Sequence, residues 1–307
     1  MMSDAITARL SEVPASTPNG RGEQNNWIDF TDRLAVIATM HRKELAIAPI
    51  LQTALGVRVT VPKDFDSDLF GTFTRDIDRP ANQVETAKLK AEKALDLIDA
   101  DIAISSEGSF FPHPLLGIAY NREIVLLLDR KNNFTVYGES LSTDTNFRHQ
   151  VVFSYEQAYE FALKVGFPDH AIVVMSDSKT SAKEAIYKGI TSEDRLKNVV
   201  NELLQRSPQV HVETDMRALY NPTRMDNIAK ATQDLVRKLQ QVCPNCNFVN
   251  FDVVEHLQGL PCGLCSFPTQ VTRSNLYRCD RCQFQQEMLF PHGIQTADPM
   301  YCSYCNP

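Results

Sequence analysis

Leu34-Ala-Val-Ile-Ala38 runs without a break into Thr39-Met-His41-Arg-Lys43-Glu44, and then into a stretch of helical spacing that ends near Leu55. Five consecutive apolar residues bounded by a polar turn read as a strand buried on both faces. A strand that passes through such a turn into a helix is the opening of an α/β unit. Pro49 falls inside the helical stretch, where its ring and missing N–H predict a kink or a restart.

The alternation continues outward from that point. Residues 58–61 read as a short strand, and residues 83–98 as a helix with Val84, Ala87, Ala91, Ala94 and Ile98 at helical spacing. Residues 101–104 read as a strand that opens into a loop, 105–114, in which His113 sits between two prolines as a rigid-loop residue rather than a base. Residues 123–128 and 134–137 flank a turn and read as a hairpin. Helices are expected over 154–165 and 192–205, the second capped by Ser192, with strands at 171–175 and 209–213. A last helix starts near Pro222, a residue suited to a first helical turn. The expected architecture is an α/β domain over residues 27–241, a mixed sheet with helices on both faces, preceded by a disordered polar tail at 1–26.

Composition narrows the class. With 307 residues, 43% of them hydrophobic, there is enough apolar surface to exclude whole-chain disorder. No stretch approaches the 18 apolar residues of a membrane span, and residues 1–26 lack the apolar core of a signal peptide, so a cytoplasmic protein with no membrane partner is the expectation. A net charge of −7 argues against wholesale nucleic-acid binding.

All eight cysteines fall at or after Cys243, as four Cys-x-x-Cys pairs: Cys243/Cys246, Cys262/Cys265, Cys279/Cys282 and Cys302/Cys305. Two residues between cysteines point both sulfurs at one metal, and two such knuckles complete a tetrahedral zinc site. Two structural four-cysteine zinc sites follow, within a small β-rich double zinc-ribbon module over residues 242–307. Gaps of 15, 13 and 19 residues separate the knuckles, each long enough for a hairpin. Sequential pairing closes the shortest loops, with nested and crossed pairing left open. Four thiolates leave no open position for catalysis. Three Arg, no Lys and five acidic residues in the module favour a structural or protein-docking role.

Three polar loops at strand ends are candidates for a ligand site, because open α/β sheets bind beyond the carboxyl ends of their strands. Thr39, His41 and Lys43 stand at a helix start, where free N–H groups and the helix dipole suit a phosphate; the alternative is a capped helix with solvated charges. Glu85 and Lys90 lie on the second helix and Glu107 follows the next strand. Glu85 and Glu107 together could hold Mg²⁺, although Lys90 lies roughly 140° around the helix from Glu85, and Glu85 could equally join Glu92 and Asp96 on a solvated stripe. Asp215 and Arg217, with Asn221 and Arg224 at the last helix start, could grip phosphate or simply pin the turn. Walker, Rossmann and nucleophile-elbow motifs are absent.

Two resemblances bear on function. Ser106-Glu-Gly-Ser-Phe110, Thr214-Asp-Met-Arg-Ala218, Asn221-Pro-Thr-Arg224, Gly259-Leu-Pro-Cys262 and Cys305-Asn-Pro307 resemble the layout of a bacterial family of uncharacterised proteins. Residues 34–137 resemble the inosine/xanthosine triphosphate pyrophosphatases. Ala38-Thr39-Met-His41-Arg-Lys43 is similar to their Ala-Thr-x-Asn-x-x-Lys turn, with His for Asn and Lys one place early. Glu85-Thr-Ala87-Lys-Leu-Lys90-Ala91 is similar to their Glu-Asn-Ala-x-x-Lys-Ala helix, and Pro222-Thr-Arg224 to their Ser-His-Arg helix start. Their paired aspartates are absent here, leaving Glu107 as the acidic stand-in. The resemblance implies a Mg²⁺-dependent nucleotide phosphoanhydride hydrolase in which Glu85 and Glu107 hold metal and Lys43, Arg217 and Arg224 neutralise phosphate. The alternative is a non-enzymatic nucleotide-sensing or protein-interaction protein, with a nucleotide or other phosphate-bearing small molecule in a degenerate site and the zinc module docking a partner protein.

Overall fold

The computed structural model describes residues 28–71, 80–112, 117–176 and 186–307; the expected tail at 1–26 and His113 lie outside them. The opening unit is as read except at Pro49: strand β1 (Leu34–Ala38) leads into helix α1 (Glu44–Leu55), which runs through Pro49 as one helix rather than restarting there and closes on Gly56 in the left-handed region. Strand β2 (Arg58–Thr60), helix α2 (Gln83–Leu97) and strands β3 (Ile102–Pro112), β4 (Ala119–Asp129) and β5 (Phe134–Ser142) complete a five-stranded mixed sheet of order β2-β1-β3-β4-β5. β1 lies parallel to β2 and β3, while β3, β4 and β5 form an antiparallel meander.

Helices cover both faces, and the alternation along each strand assigns them. Val36, Ala103, Ile124 and Leu126 pack with Ala87, Ala91 and Ala94 of α2. Ile37, Ile104, Val125 and Leu127 pack on the other face with Ile47 and Leu51 of α1 and with Ile228, Ala231 and Leu235 of helix α5 (Pro222–Gln240). α5 lies almost flush on β5 at Gly138, where a Cβ would fall 2.1 Å from the Leu235 backbone nitrogen and 2.2 Å from the Ala231 carbonyl oxygen. Gly138→Ala is therefore expected to push helix and strand apart, at a cost of about 1–3 kcal/mol in a denaturant melt.

β3 differs from its reading. Residues 105–112, expected as a loop, extend the strand and pair one to one with 119–126 of β4. Their Ser and Gly content follows from where this end of the strand runs: past the hydrophobic core and into a polar cavity.

A second difference lies downstream. Strands β6 (His149–Val152), β7 (Ile172–Met175), β8 (Ile186–Ile190) and β9 (Val210–Thr214) do not join the first sheet; they form a separate antiparallel sheet of order β6-β9-β7-β8. Helices α3 (Tyr155–Lys164) and α4 (Glu193–Leu204) pack on one face of it through Phe161, Leu196, Val200, Ile172 and Val212. The single mixed sheet expected from the sequence is thus two sheets. β9 finds its neighbours in β6 and β7, and the sequence reading missed β6 and β8 because their apolar patterns are weak.

The last strands, β10 (Asp252–Gln258), β11 (Thr272–Arg278) and β12 (Gln285–Leu289), form a three-stranded antiparallel sheet with most side chains exposed. Its small core is Cys243, Phe251 and Cys279, with Phe248, Tyr277 and Phe284 against them. Among the described residues no helix is long and apolar enough to cross a membrane.

Candidate functional site: a charged cavity and two cysteine clusters

A cavity of about 260 Å³ opens between the end of the five-stranded sheet and one face of the four-stranded sheet. The β1–α1 turn contributes His41 and Lys43, α2 Lys90, β3 Glu107 and Gly108, and the turn after β9 Asp215 and Arg217; Arg224 reaches it from the first turn of α5. The three loops read separately in the sequence converge here.

Each charged group has a definite environment. On β3 and β4, Gly108 faces Glu123, so Glu107 and Glu123 point to opposite faces of the sheet. Each is met by a cation from the helix on its own face. Lys90 of α2 donates to Glu107, and both side chains are buried. Arg224 of α5 donates through Nε to Glu123 at 2.6 Å and through Nη1 to the Met216 carbonyl at 2.5 Å; the two side chains are 1% and 0% exposed. Gly108 makes room for that pair, because a Cβ there would lie 2.4 Å from Arg224 Nη2 and 2.6 Å from Glu123 Oε1. Asp215 accepts from Arg217 Nη2 at 2.7 Å and from the Gly189 N–H at 2.9 Å, and the Arg217 guanidinium lies over the Tyr220 ring at 4.7 Å. His41 Nε2 meets Asp68 at 2.9 Å. Burial holds the His41 pKa below its ordinary value against the pull of Asp68, so the ring is neutral at pH 7.

Lys43 is the exception. Its Nζ donates to the Ser106 carbonyl at 3.1 Å, and no carboxylate among the described residues forms an ion pair with it. Burial first, and then the neighbouring Arg224 and Lys90, push its pKa down to about 7, while Glu107 and Glu123 act in the opposite direction. Lys43 is also the N-cap of α1, and Arg224 is the third residue of α5. The helix dipole disfavours cations at both positions. Two cations held against their helices' dipoles in one cavity suit an anion.

Other expected residues stand elsewhere. Glu85 is exposed at the start of α2 and outside the cavity wall, where its backbone N–H is capped by Asn82. It does not meet Glu107, so the carboxylate pair expected to hold Mg²⁺ is not assembled. The 140° offset that put Lys90 into the cavity turned Glu85 away from it. Thr39 accepts the His41 N–H at 3.2 Å and shapes the turn from behind. Asn221 caps α5 through the Arg224 N–H and ties Asn146 to the turn, so its role here is structural. The sequence reading missed Asp68 and Glu123. A glutamate beginning the run Glu123-Ile-Val-Leu-Leu-Leu128 was the available signal for the second.

The cysteines form two groups of four, in which all ligand atoms lie within 4.8 Å of one another: Cys243, Cys246, Cys279 and Cys282, and Cys262, Cys265, Cys302 and Cys305. The first knuckle pairs with the third and the second with the fourth, the crossed arrangement. Sγ separations of 3.7 Å for Cys243–Cys282, 3.6 Å for Cys246–Cys279 and 3.7 Å for Cys265–Cys302 match the edge, about 3.8 Å, of a tetrahedron with zinc–sulfur arms of about 2.3 Å. Three knuckles share a backbone device visible in the sequence as Cys-x-x-Cys-x-Phe. Asn247, Ser266 and Gln283 take positive φ, and the next residue, Phe248, Phe267 or Phe284, accepts the N–H of the first cysteine of its knuckle.

Fold and site together define a mixed α/β protein with a charged inter-sheet cavity and two tetracysteine clusters compatible with structural zinc. Residues 90–307 match the family described as a domain of unknown function, DUF6671, and the chain belongs to that family. The matched region holds Lys90, Glu107, Glu123, Asp215, Arg217, Arg224 and all eight cysteines. No curated protein matches the chain.

Proposed function

We propose that the inter-sheet cavity binds a small phosphate-bearing molecule and that the two tetracysteine clusters hold structural zinc. The observation that carries the first part is Lys43, a buried cation with no carboxylate of its own among the described residues, in a cavity where Lys90, Arg217 and Arg224 each have one. The ligand's anion supplies the missing negative charge. The volume of about 260 Å³ suits a small molecule rather than a polymer. The pairing of Glu107 with Lys90 and the remoteness of Glu85 weigh against hydrolysis through a carboxylate-held Mg²⁺. The cavity also holds the neutral His41 with Asp68 beside it, an acid–base pair.

Calorimetry with pyrophosphate, phosphate and sulfate tests the reading. Sulfate does not titrate in this range, so its binding reports on the protein alone. Free Lys43 loses its proton near pH 7 and the bound anion raises that pKa, so affinity is full below about 7 and falls as pH rises through it, by up to tenfold per unit. Lys43→Met is expected to weaken sulfate at least tenfold at pH 6.5 while raising the melting temperature, because it removes a desolvated charge. Equal affinity in the wild type and in Lys43→Met would sink the proposal.

A further inference from the structure

We propose that Lys43 is an amine nucleophile that forms an imine with the carbonyl group of a small anionic ligand. This rests on the reading of the cavity as an anion site and names the substrate class, an aldehyde or ketone that also carries a phosphate or carboxylate.

The placement argues for it. A position that needs only a fixed positive charge is better filled by arginine, which cannot lose its proton and grips oxyanions in a planar fork; Arg224 and Arg217 already provide that. At position 43 there is instead a lysine, its Nζ in the cavity wall with one hydrogen bond to a backbone carbonyl. The charged groups that act on it come from four elements packed around it, Lys90 from α2, Glu107 from β3, Glu123 from β4 and Arg224 from α5, with His41 on its own turn. The two carboxylates are taken up by the two other cations. Desolvation beside another cation is the standard way to keep a lysine amine partly neutral at pH 7, with its lone pair available for a carbonyl carbon.

His41 and Asp68 line the same cavity and supply proton transfer. Neutral Nζ attacks the carbonyl carbon, a C–N bond forms, and the π pair moves to oxygen. One amine proton passes to that oxygen by way of the His41 ring. The carbinolamine C–O bond then breaks as a second proton, taken up from solvent through His41, lets the oxygen leave as water. The nitrogen lone pair closes the C=N bond and the last amine hydrogen stays on nitrogen. The sum is amine, carbonyl and one proton giving a protonated imine and water, with no change of oxidation state. The positive charge stays at the cavity wall, beside the ligand's own anion.

The experiment is reductive trapping on the full-length zinc-loaded protein. Two probes are used, pyridoxal 5′-phosphate, an aldehyde with a phosphate, and glyoxylate, a much smaller aldehyde with a carboxylate. Each is incubated near pH 7, reduced with borohydride and mapped by peptide mass spectrometry. The expected result is a single modified residue, Lys43, with labelling at sub-saturating probe half-maximal near pH 7, slowed at least tenfold by saturating sulfate and lost in Lys43→Arg. If neither probe modifies Lys43, or if exposed lysines are modified at the same rate, the proposal is overturned. Should sulfate still bind in a Lys43-dependent way in that case, the anion site stands and only the imine falls; loss of sulfate binding as well would remove both.

Discussion

Chelation of zinc from the intact protein is expected to release two equivalents of metal and to unfold residues 242–307 while the two larger sheets persist. The strands of this region expose most of their side chains, and two of the three residues at the centre of its core are themselves cysteines. There is too little apolar surface to offset the chain entropy of some 65 residues. In small zinc peptides the metal contributes on the order of 10–16 kcal/mol, and here it stands in for a core. Hydrogen exchange with and without chelator checks this, with the protection of β10–β12 lost and that of β1, β3 and β4 kept. The pairing has its own assay. Under crossed pairing Cys246→Ser and Cys282→Ser lie in the same site, so the double variant retains one zinc. Sequential or nested pairing would leave it none. Cys246→Ser with Cys265→Ser should retain none, where sequential pairing predicts one.

Glu123→Ala is expected to cost about 3–5 kcal/mol, because it removes the buried carboxylate that pairs with a guanidinium only 1% exposed. For a chain of this size that lowers the melting temperature by on the order of 10 °C. The loss lies in a buried charge without its compensating carboxylate rather than in the absence of the pair. Glu123→Leu with Arg224→Met should therefore recover most of the stability, while losing the shape of the cavity beside Lys43. A thermal melt of the two variants beside the wild type separates the two accounts: if the double variant is as unstable as Glu123→Ala, the side chains serve by packing and not by charge compensation. Gly108→Ala should follow Glu123→Ala in direction, since its methyl group would intrude on the same pair.

Legibility in the sequence tracked the length scale of the force involved. β1 was legible to the residue because five consecutive apolar side chains, four of them buried, have no other use. The cysteine sites were legible as a set because the knuckle is local, but their partners were not, because pairing is decided by the sheet between them. The extent of β3 was hidden because its outer half is polar, which in a sequence looks like a loop and in the fold is a cavity wall. His41, Lys43, Lys90, Glu107, Asp215, Arg217 and Arg224 were each legible as chemistry-bearing loop or helix residues, and the fold brings them to one cavity. Glu85 was misplaced because a motif fixes spacing but not which face of the helix meets the sheet. Asp68 carried no signal at all: its importance comes from His41, 27 positions away. The split into two sheets depends on which strand β9 chooses, a long-range preference that no local pattern encodes.

Helix α5 bears on how the protein comes apart. Its first turn holds Arg224 in the cavity, and three residues beyond its end stands Cys243 of the first cluster, with 19 helical residues, or about 28 Å, of unbroken rod between. The backbone then turns back on it, with Asn250 bonded to the Lys238 carbonyl and Phe251 to the Gln241 carbonyl, while Arg237 grips Asp252 and Phe248 meets Phe134 edge-on. Residues 241–252 therefore have the hydrogen bonds and packing that a protease must first break. A protease that nicks multidomain proteins at their linkers would find none to cut here, and the cysteine module should survive limited digestion attached to the rest for as long as its metal stays bound.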